Sequence, residues 1–163
     1  MITFRPVGPF AVTRTRGRGG RLIDKEAAER FWTEHPDVAD AVGCYVFGVR
    51  AGKGYLPLYV GKASVAFRRE AFEDKKLTHY NTALLHRAKG TPVMFFVIRE
   101  SGPLRSLDSC LGHIEHFLIQ VACEKNPDLR NIHRLEYRIL GVFRRGEWPL
   151  SPGAKQFRRM LGL

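Results

Sequence analysis

No apolar run in these 163 residues approaches the roughly 20 positions of a membrane span. The first 20 residues also lack the apolar stretch of a signal peptide, so a cytoplasmic protein is expected. Cysteine is scarce: Cys44, Cys110 and Cys123 are an odd number without a C-x-x-C pair. Neither a disulfide framework nor a structural zinc site is indicated, and buried thiols are expected. Acidic residues are outnumbered, 16 Asp plus Glu against 27 Lys plus Arg, for a formal charge of +11 and a pI near 10.1. That imbalance exceeds what solubility requires and is the electrostatic footprint of a polyanionic partner. Nucleic acid is the first candidate. The length suits one core with modest extensions rather than two full domains, and internal repeats and long low-complexity tracts are missing.

What is present sorts into segments. Up to Gly20, Arg14, Arg16 and Arg18 alternate with Thr and Gly; such a composition gains little from packing and predicts a flexible arm with cations free to reach phosphates. Asp24 caps a helix in which Ala27, Ala28, Phe31 and Trp32 recur at helical spacing until His35-Pro36 stops it. Residues 1–40 thus read as a basic arm and a short helix. Gly43 to Arg50 favours a strand, Gly52-Lys53-Gly54 supplies a turn, and Tyr55 to Ala63 returns as a second strand. Pro57 cannot donate to a ladder and belongs at a bulge or an edge. Ser64 caps a helix to about Lys76 and Asn81 another to Lys89, while Pro92 to Arg99 reads as a buried third strand.

Ser106 opens the clearest helix, in which Leu107, Leu111, Ile114, Leu118 and Val121 follow the i, i+3, i+4, i+7 rule. Glu115 falls at the border of that apolar face, half sheltered. Residues 135–163 read as a C-terminal strand, Tyr137 to Phe143, and a short basic helix starting at Ser151-Pro152 and holding Phe157, Met160 and Leu161.

One spacing is more specific than these patterns. Tyr45 ends the segment Gly43-Cys44-Tyr45, and Tyr59 opens Tyr59-Val60-Gly61-Lys62 on the returning strand. Arg69 follows Tyr59 by ten residues (69 − 59), Glu115 lies in the long helix, and Asn131 stands just past it. The order Tyr, Tyr, Arg, Glu, Asn resembles the GIY-YIG nuclease superfamily over about residues 41–134. Tyr59-Val60-Gly61-Lys62-Ala63 is similar to the version in the incision nuclease of bacterial nucleotide-excision repair, whereas Cys44 stands where isoleucine is usual. The resemblance implies an α/β fold: a small three-stranded antiparallel sheet flanked by helices, in the order β-β-α-α-β-α, with basic extensions at both ends. It implies a metal-dependent endonuclease acting on DNA, nucleoid-associated in a bacterial cell. A repair intermediate, a restriction site, a homing target and invading DNA are all open as substrates. The alternative, from a different class, is a nucleic-acid-binding module that kept this fold without its chemistry.

Phosphodiester hydrolysis needs an activated water, charge stabilisation on the phosphoryl oxygens and help for the leaving oxyanion. A hard cation such as Mg²⁺ or Mn²⁺ takes oxygen ligands and keeps most of its waters, so one carboxylate suffices; Glu115 is the candidate metal ligand. Arg69 suits the scissile phosphate through its planar, permanently charged fork. By resemblance Tyr45 orients or deprotonates the attacking water, with Tyr59 beside it; a metal and cations nearby would favour the phenolate of a group whose pKa is ordinarily about 10. Lys62 holds a phosphate or lowers a tyrosine pKa, and Asn131 steadies the site by hydrogen bonding. Flanking phosphates fall to Arg14, Arg16, Arg18, Arg21, Lys62, Arg68, Arg144, Arg145, Arg158 and Arg159. One position departs from the family pattern. Where many members have His or Tyr, four residues after the motif arginine, this chain has Glu73, leaving His79, Tyr80 or His86 to substitute, or Glu73 itself as a second acid near the metal. His113, Glu115 and His116 are not a transition-metal cluster, because a helix turns Glu115 away from the two histidines.

Overall fold

Alternating valines and aromatics build the frame of the molecule. The computed structural model describes residues 1–17, 20–85, 87, 90–131 and 152–161. Along the chain come β1 (Thr3–Ala11), β2 (Thr15–Gly17), β3 (Gly20–Leu22), α1 (Lys25–Glu34), α2 (Pro36–Ala39), β4 (Gly43–Ala51) and β5 (Gly54–Ala63). They are followed by α3 (Phe67–Glu70), α4 (Asp74–Leu84), β6 (Thr91–Ser101), α5 (Leu107–Lys125) and α6 (Pro152–Leu161). From β4 to α5 the order is β-β-α-α-β-α, as the sequence predicts. Gly52, at φ 59°, makes the positive-φ turn between β4 and β5. The unbroken apolar run of β6 lies inside the sheet, between β1 and β4.

The sheet has four antiparallel strands in the order β1-β6-β4-β5, not three. The fourth, β1, comes from the segment whose composition predicts a flexible arm. Phe4 pairs with Arg99, Val7 with Phe96 and Ala11 with Val93, so residues 3–11 belong to the same sheet as the 41–134 segment. Pro6 is compatible with this because β1 is an edge strand, and a register shift between Val7 and Phe10 absorbs Gly8 and Pro9. The arginines that follow are anchored too. β2 and β3 form a hairpin pairing Arg16 with Arg21, and Arg14 donates to the Gly90 carbonyl. Pro57 meets both of its expected conditions, on the edge strand β5 and beside the irregularity where Phe47 pairs with Tyr59 but Gly48 with Pro57.

Asp24 caps α1 as expected, its carboxylate accepting from the Ala27 N–H at 2.9 Å. The next helices differ from expectation. A single turn, α3, follows the extended Ala66, and α4 runs unbroken through Asn81. Asn81 is not a cap. Its amide accepts from the Ile23 N–H at 2.8 Å and donates to the Ile23 carbonyl at 2.9 Å, tying the chain after β3 to α4.

The sheet has two covered faces. On one, Tyr45, Phe47, Tyr59, Met94 and Phe96 pack with Phe31, Phe67 and Tyr80 of the helices α1, α3 and α4. On the other, Cys44, Val46 and Val60 pack against α5 through Leu107, Leu111 and Ile119. The buried row of α5 is Leu107, Leu111, Glu115, Ile119, an i, i+4 ridge inclined to the helix axis. Glu115 is therefore 8% exposed rather than half sheltered, and Val121, expected on the apolar stripe, is 39% exposed. Cys44 and Cys123 are buried free thiols, while Cys110 is partly exposed. Among the described residues no helix is long and apolar enough to cross a membrane. Arg18, His86, Tyr137 to Phe143, Arg144, Arg145 and the side chain of Arg158 lie outside the described residues.

Candidate active site around the paired tyrosines

Strand pairing places Tyr45 opposite Gly61 and Phe47 opposite Tyr59, all on the face covered by α1, α3 and α4. The rings of Tyr45 and Tyr59 lie nearly parallel at 6.4 Å between centroids. Tyr45 is wholly buried, and its phenol rests on the backbone of Gly61. A Cβ at position 61 would stand 2.5 Å from Tyr45 Cζ and closer still to its Oη, so the second motif needs a glycine to admit the tyrosine of the first. The Tyr45 hydroxyl makes no hydrogen bond of strict geometry, but it stands against the Tyr80 hydroxyl, and the two phenols influence one another. Burial, then the phenols of Tyr80 and Tyr59 and the carboxylate of Glu115, push Tyr45 well above the usual tyrosine range. It keeps its proton, which suits orienting a water better than deprotonating one.

Tyr59 is 5% exposed. The His79 ring stacks on it at 5.7 Å, and Tyr80 meets it edge-on at 5.6 Å. Tyr80 donates to the Ala71 carbonyl at 2.7 Å, and burial pushes its phenol up as well. The Lys76 ammonium stands 5.9 Å over the Tyr45 ring centroid, held by the Glu70 carbonyl at 2.6 Å and by the Glu73 carboxylate at 3.2 Å. Thus α4 delivers His79 and Tyr80 to the tyrosine pair, while Glu73 is engaged with Lys76. The sequence pattern marks Lys76 only as a helix end. Its position between Glu73 and Tyr80 on one helix, at spacings of three and four, is the signal that would have found it.

Glu115 lies in the buried row of α5, on the sheet face opposite the tyrosine pair. Its charge is felt at Tyr45 and at Cys44, whose thiol is raised to about 12 chiefly by burial and then by Glu115. Lys62, across the ladder from Cys44, donates to Asp108 at 2.8 Å, and the Ser64 hydroxyl reaches the same oxygen at 2.8 Å. These contacts, the Lys62 hydrogen bond first, hold the Asp108 carboxyl below its ordinary range. Asn131, 2% exposed, supplies what the edge of β5 lacks: it accepts from the Val60 N–H at 3.3 Å and donates to the Val60 carbonyl at 2.6 Å. Arg130 N–H to the Leu58 carbonyl at 3.0 Å and the Asn126 amide to the Pro57 carbonyl at 2.7 Å extend that edging. Asn131 therefore steadies the strand between Tyr59 and Gly61 through its backbone.

Arg69 projects from α3 into a surface cleft of about 410 Å³ that it shares with Trp32 of α1 and with Phe72 and Glu73. Arg68 beside it pairs with Asp40 at 2.7 Å. Arg14 and Arg21 line a second cleft of about 400 Å³, close enough that Arg21, after burial, lowers the Arg14 pKa. Arg16 and Arg159 are exposed. The structure thus gathers Tyr45, Tyr59, Lys76, His79 and Tyr80 on one face of the sheet; Glu115 lies on the opposite face, Lys62 turns to Asp108 and Arg69 to the α1 cleft.

Among the described residues, no three His, Cys, Asp or Glu side chains converge as a metal cage. The oxygen donors of the expected set are the Glu115 carboxylate and the Tyr45 hydroxyl, from opposite faces of the sheet. Oxygen donors with so few protein ligands fit a hydrated Mg²⁺ or Mn²⁺ and not zinc. Comparison with protein-family models, with curated proteins and with solved structures gives no match.

Proposed function

We propose that the protein is a metal-dependent endonuclease that hydrolyses DNA phosphodiester bonds on a GIY-YIG type domain. The observation that carries this reading is the seat of Tyr45 on Gly61, with Tyr59 stacked beside it. That contact gives the two motifs a joint physical reason, since each is needed for the other to fit. The element order from β4 to α5 and the formal charge of +11 support the same reading.

In this reading Glu115 would hold Mg²⁺ or Mn²⁺, which when bound would supply charge neutralisation and an acidified water. Tyr45, which keeps its proton, donates a hydrogen bond that orients the attacking water. Tyr59 handles the proton with His79, a residue type that can accept one near neutral pH; His79 thereby fills the role vacated at Glu73. Arg69 neutralises the scissile phosphate. Arg14, Arg16, Arg21, Arg68 and Arg159 hold flanking phosphates and give affinity without sequence information.

A second reading, a non-catalytic nucleic-acid-binding module, is favoured by the engagement of Lys62 with Asp108. Incubating supercoiled plasmid with the protein in Mg²⁺, Mn²⁺ or EDTA, beside Glu115→Ala and Arg69→Ala, separates the two. Nicking that needs metal and disappears in both variants supports the endonuclease. Retention of plasmid and branched DNA without cutting supports the module.

A further inference from the structure

We infer that the cleft between α1 and the α3–α4 turn seats one unstacked nucleobase, so that the protein selects DNA carrying an extrahelical or single-stranded base over intact duplex. This deepens the nuclease reading and rests on it. The cleft, about 410 Å³, has the volume of a small-molecule site. Trp32, half buried, offers its ring to it, held by the buried Phe72, which meets it edge-on at 5.3 Å, and by Phe31, edge-on at 5.0 Å. A rigid aromatic wall is what a base stacks on once it leaves the helix.

Charge points the same way. Against a net +11, this cleft is balanced. Lys25 is paired with Asp74 at 3.1 Å, Arg68 with Asp40 at 2.7 Å and Glu73 with Lys76 at 3.2 Å, which leaves Arg69 and Glu29 around the aromatic pair. A groove that tracks a phosphate backbone is positive throughout, and carboxylates would spoil it. Carboxylates do accept hydrogen bonds from the exocyclic amine of a base, as at N4 of cytosine. The Arg69 side chain, whose backbone N–H donates to the Ala66 carbonyl, makes no hydrogen bond or ion pair among the described residues and can hold the phosphate of that same nucleotide. One aromatic wall, the Glu29 carboxylate and one available cation match a single nucleotide with an exocyclic amine. Because Arg69 also belongs to the proposed catalytic set, seating the base would position the strand for cutting.

The test is binding in EDTA, by fluorescence anisotropy, to three duplexes of one sequence: fully paired, with one extrahelical cytosine, and with an abasic bulge at that place. The protein is compared with Trp32→Leu and Glu29→Ala. The expected result is about tenfold tighter binding of the cytosine bulge than of the other two, lost in both variants while paired-duplex affinity is unchanged. Glu29 is exposed, so Glu29→Ala, which removes the acceptor, keeps the test valid should Trp32→Leu fail to fold. Equal affinity of the wild type for the three duplexes, or a preference that survives Glu29→Ala, overturns the inference. Metal-dependent nicking without bulge preference overturns this inference alone, whereas failure to bind any of the duplexes overturns the nuclease reading with it.

Discussion

The hydroxyl end of Tyr45 occupies the space into which a side chain at Gly61, its partner across the β4–β5 ladder, would project. Gly61→Ala is therefore an overpacking substitution in a buried corner and is expected to destabilise by about 1–3 kcal/mol. Adding Tyr45→Phe, which removes the nearer atom, recovers part of the loss. Urea denaturation of the two single variants and the double variant measures this; full additivity of the two effects would show that the residues do not meet.

Burial of two phenols makes stability fall in alkali. Tyr45 and Tyr80 are raised in the folded protein, so their contribution is fully present below the unfolded tyrosine pKa of about 10 and is lost as pH rises through the folded values. The expected slope above pH 10 is about 1.4 kcal/mol per pH unit for each group, about 2.7 for both. Urea midpoints between pH 9 and 11 read it, and Tyr45→Phe should halve the slope. A flat profile contradicts the burial of these hydroxyls.

Much of the fold is visible in the chain because hydrophobic periodicity carries it: the β4–β5 hairpin around Gly52, the apolar run of β6 and the helix opened by Ser106 all lie where the pattern puts them. β1 does not show because Pro6, Gly8 and Pro9 are turn punctuation by composition, and only an edge position with a register shift makes them compatible with a strand. The motif order points to Tyr45, Tyr59 and Asn131, but not to how they work. Asn131 acts on the backbone of Val60, a pairing across 71 residues that no local pattern encodes. His79 and Tyr80 stand among the substitutes that the Glu73 departure suggests, but the place of Lys76 beside the tyrosines stays hidden because α4 extends through two residues, Lys76 and Asn81, that resemble a helix end and a cap.

The Asn131 amide bridges both backbone groups of Val60 on the outer edge of β5, next to the bonds that Arg130 and Asn126 make to Leu58 and Pro57. Asn131→Ala leaves a buried donor and acceptor without partners, at about 1–3 kcal/mol for each. Global stability should drop and the Val60 amide should exchange faster with deuterium than in the wild type. Unchanged exchange at Val60 would remove Asn131 from this role.

Asp108 holds Lys62 in an ion pair on an exposed surface, so the pair adds little to stability. Asp108→Asn should leave the melting temperature where it is, tighten DNA binding, and steepen the slope of log K against log salt by about 0.9, the signature of one more phosphate contact. The same slope in both proteins would place Lys62 away from DNA.

The central claim is that the tyrosine pair, with a metal at Glu115, cuts DNA. Single-turnover nicking of supercoiled plasmid in saturating Mg²⁺, by the wild type and by Tyr59→Phe, with circular dichroism and DNA affinity measured on both, tests it most directly. The account predicts nicking by the wild type that EDTA abolishes, and a rate at least about 100-fold lower in a folded Tyr59→Phe that binds DNA as tightly. Metal-dependent nicking at an equal rate in Tyr59→Phe, or a wild type that cuts neither plasmid nor branched DNA in either metal, would contradict it.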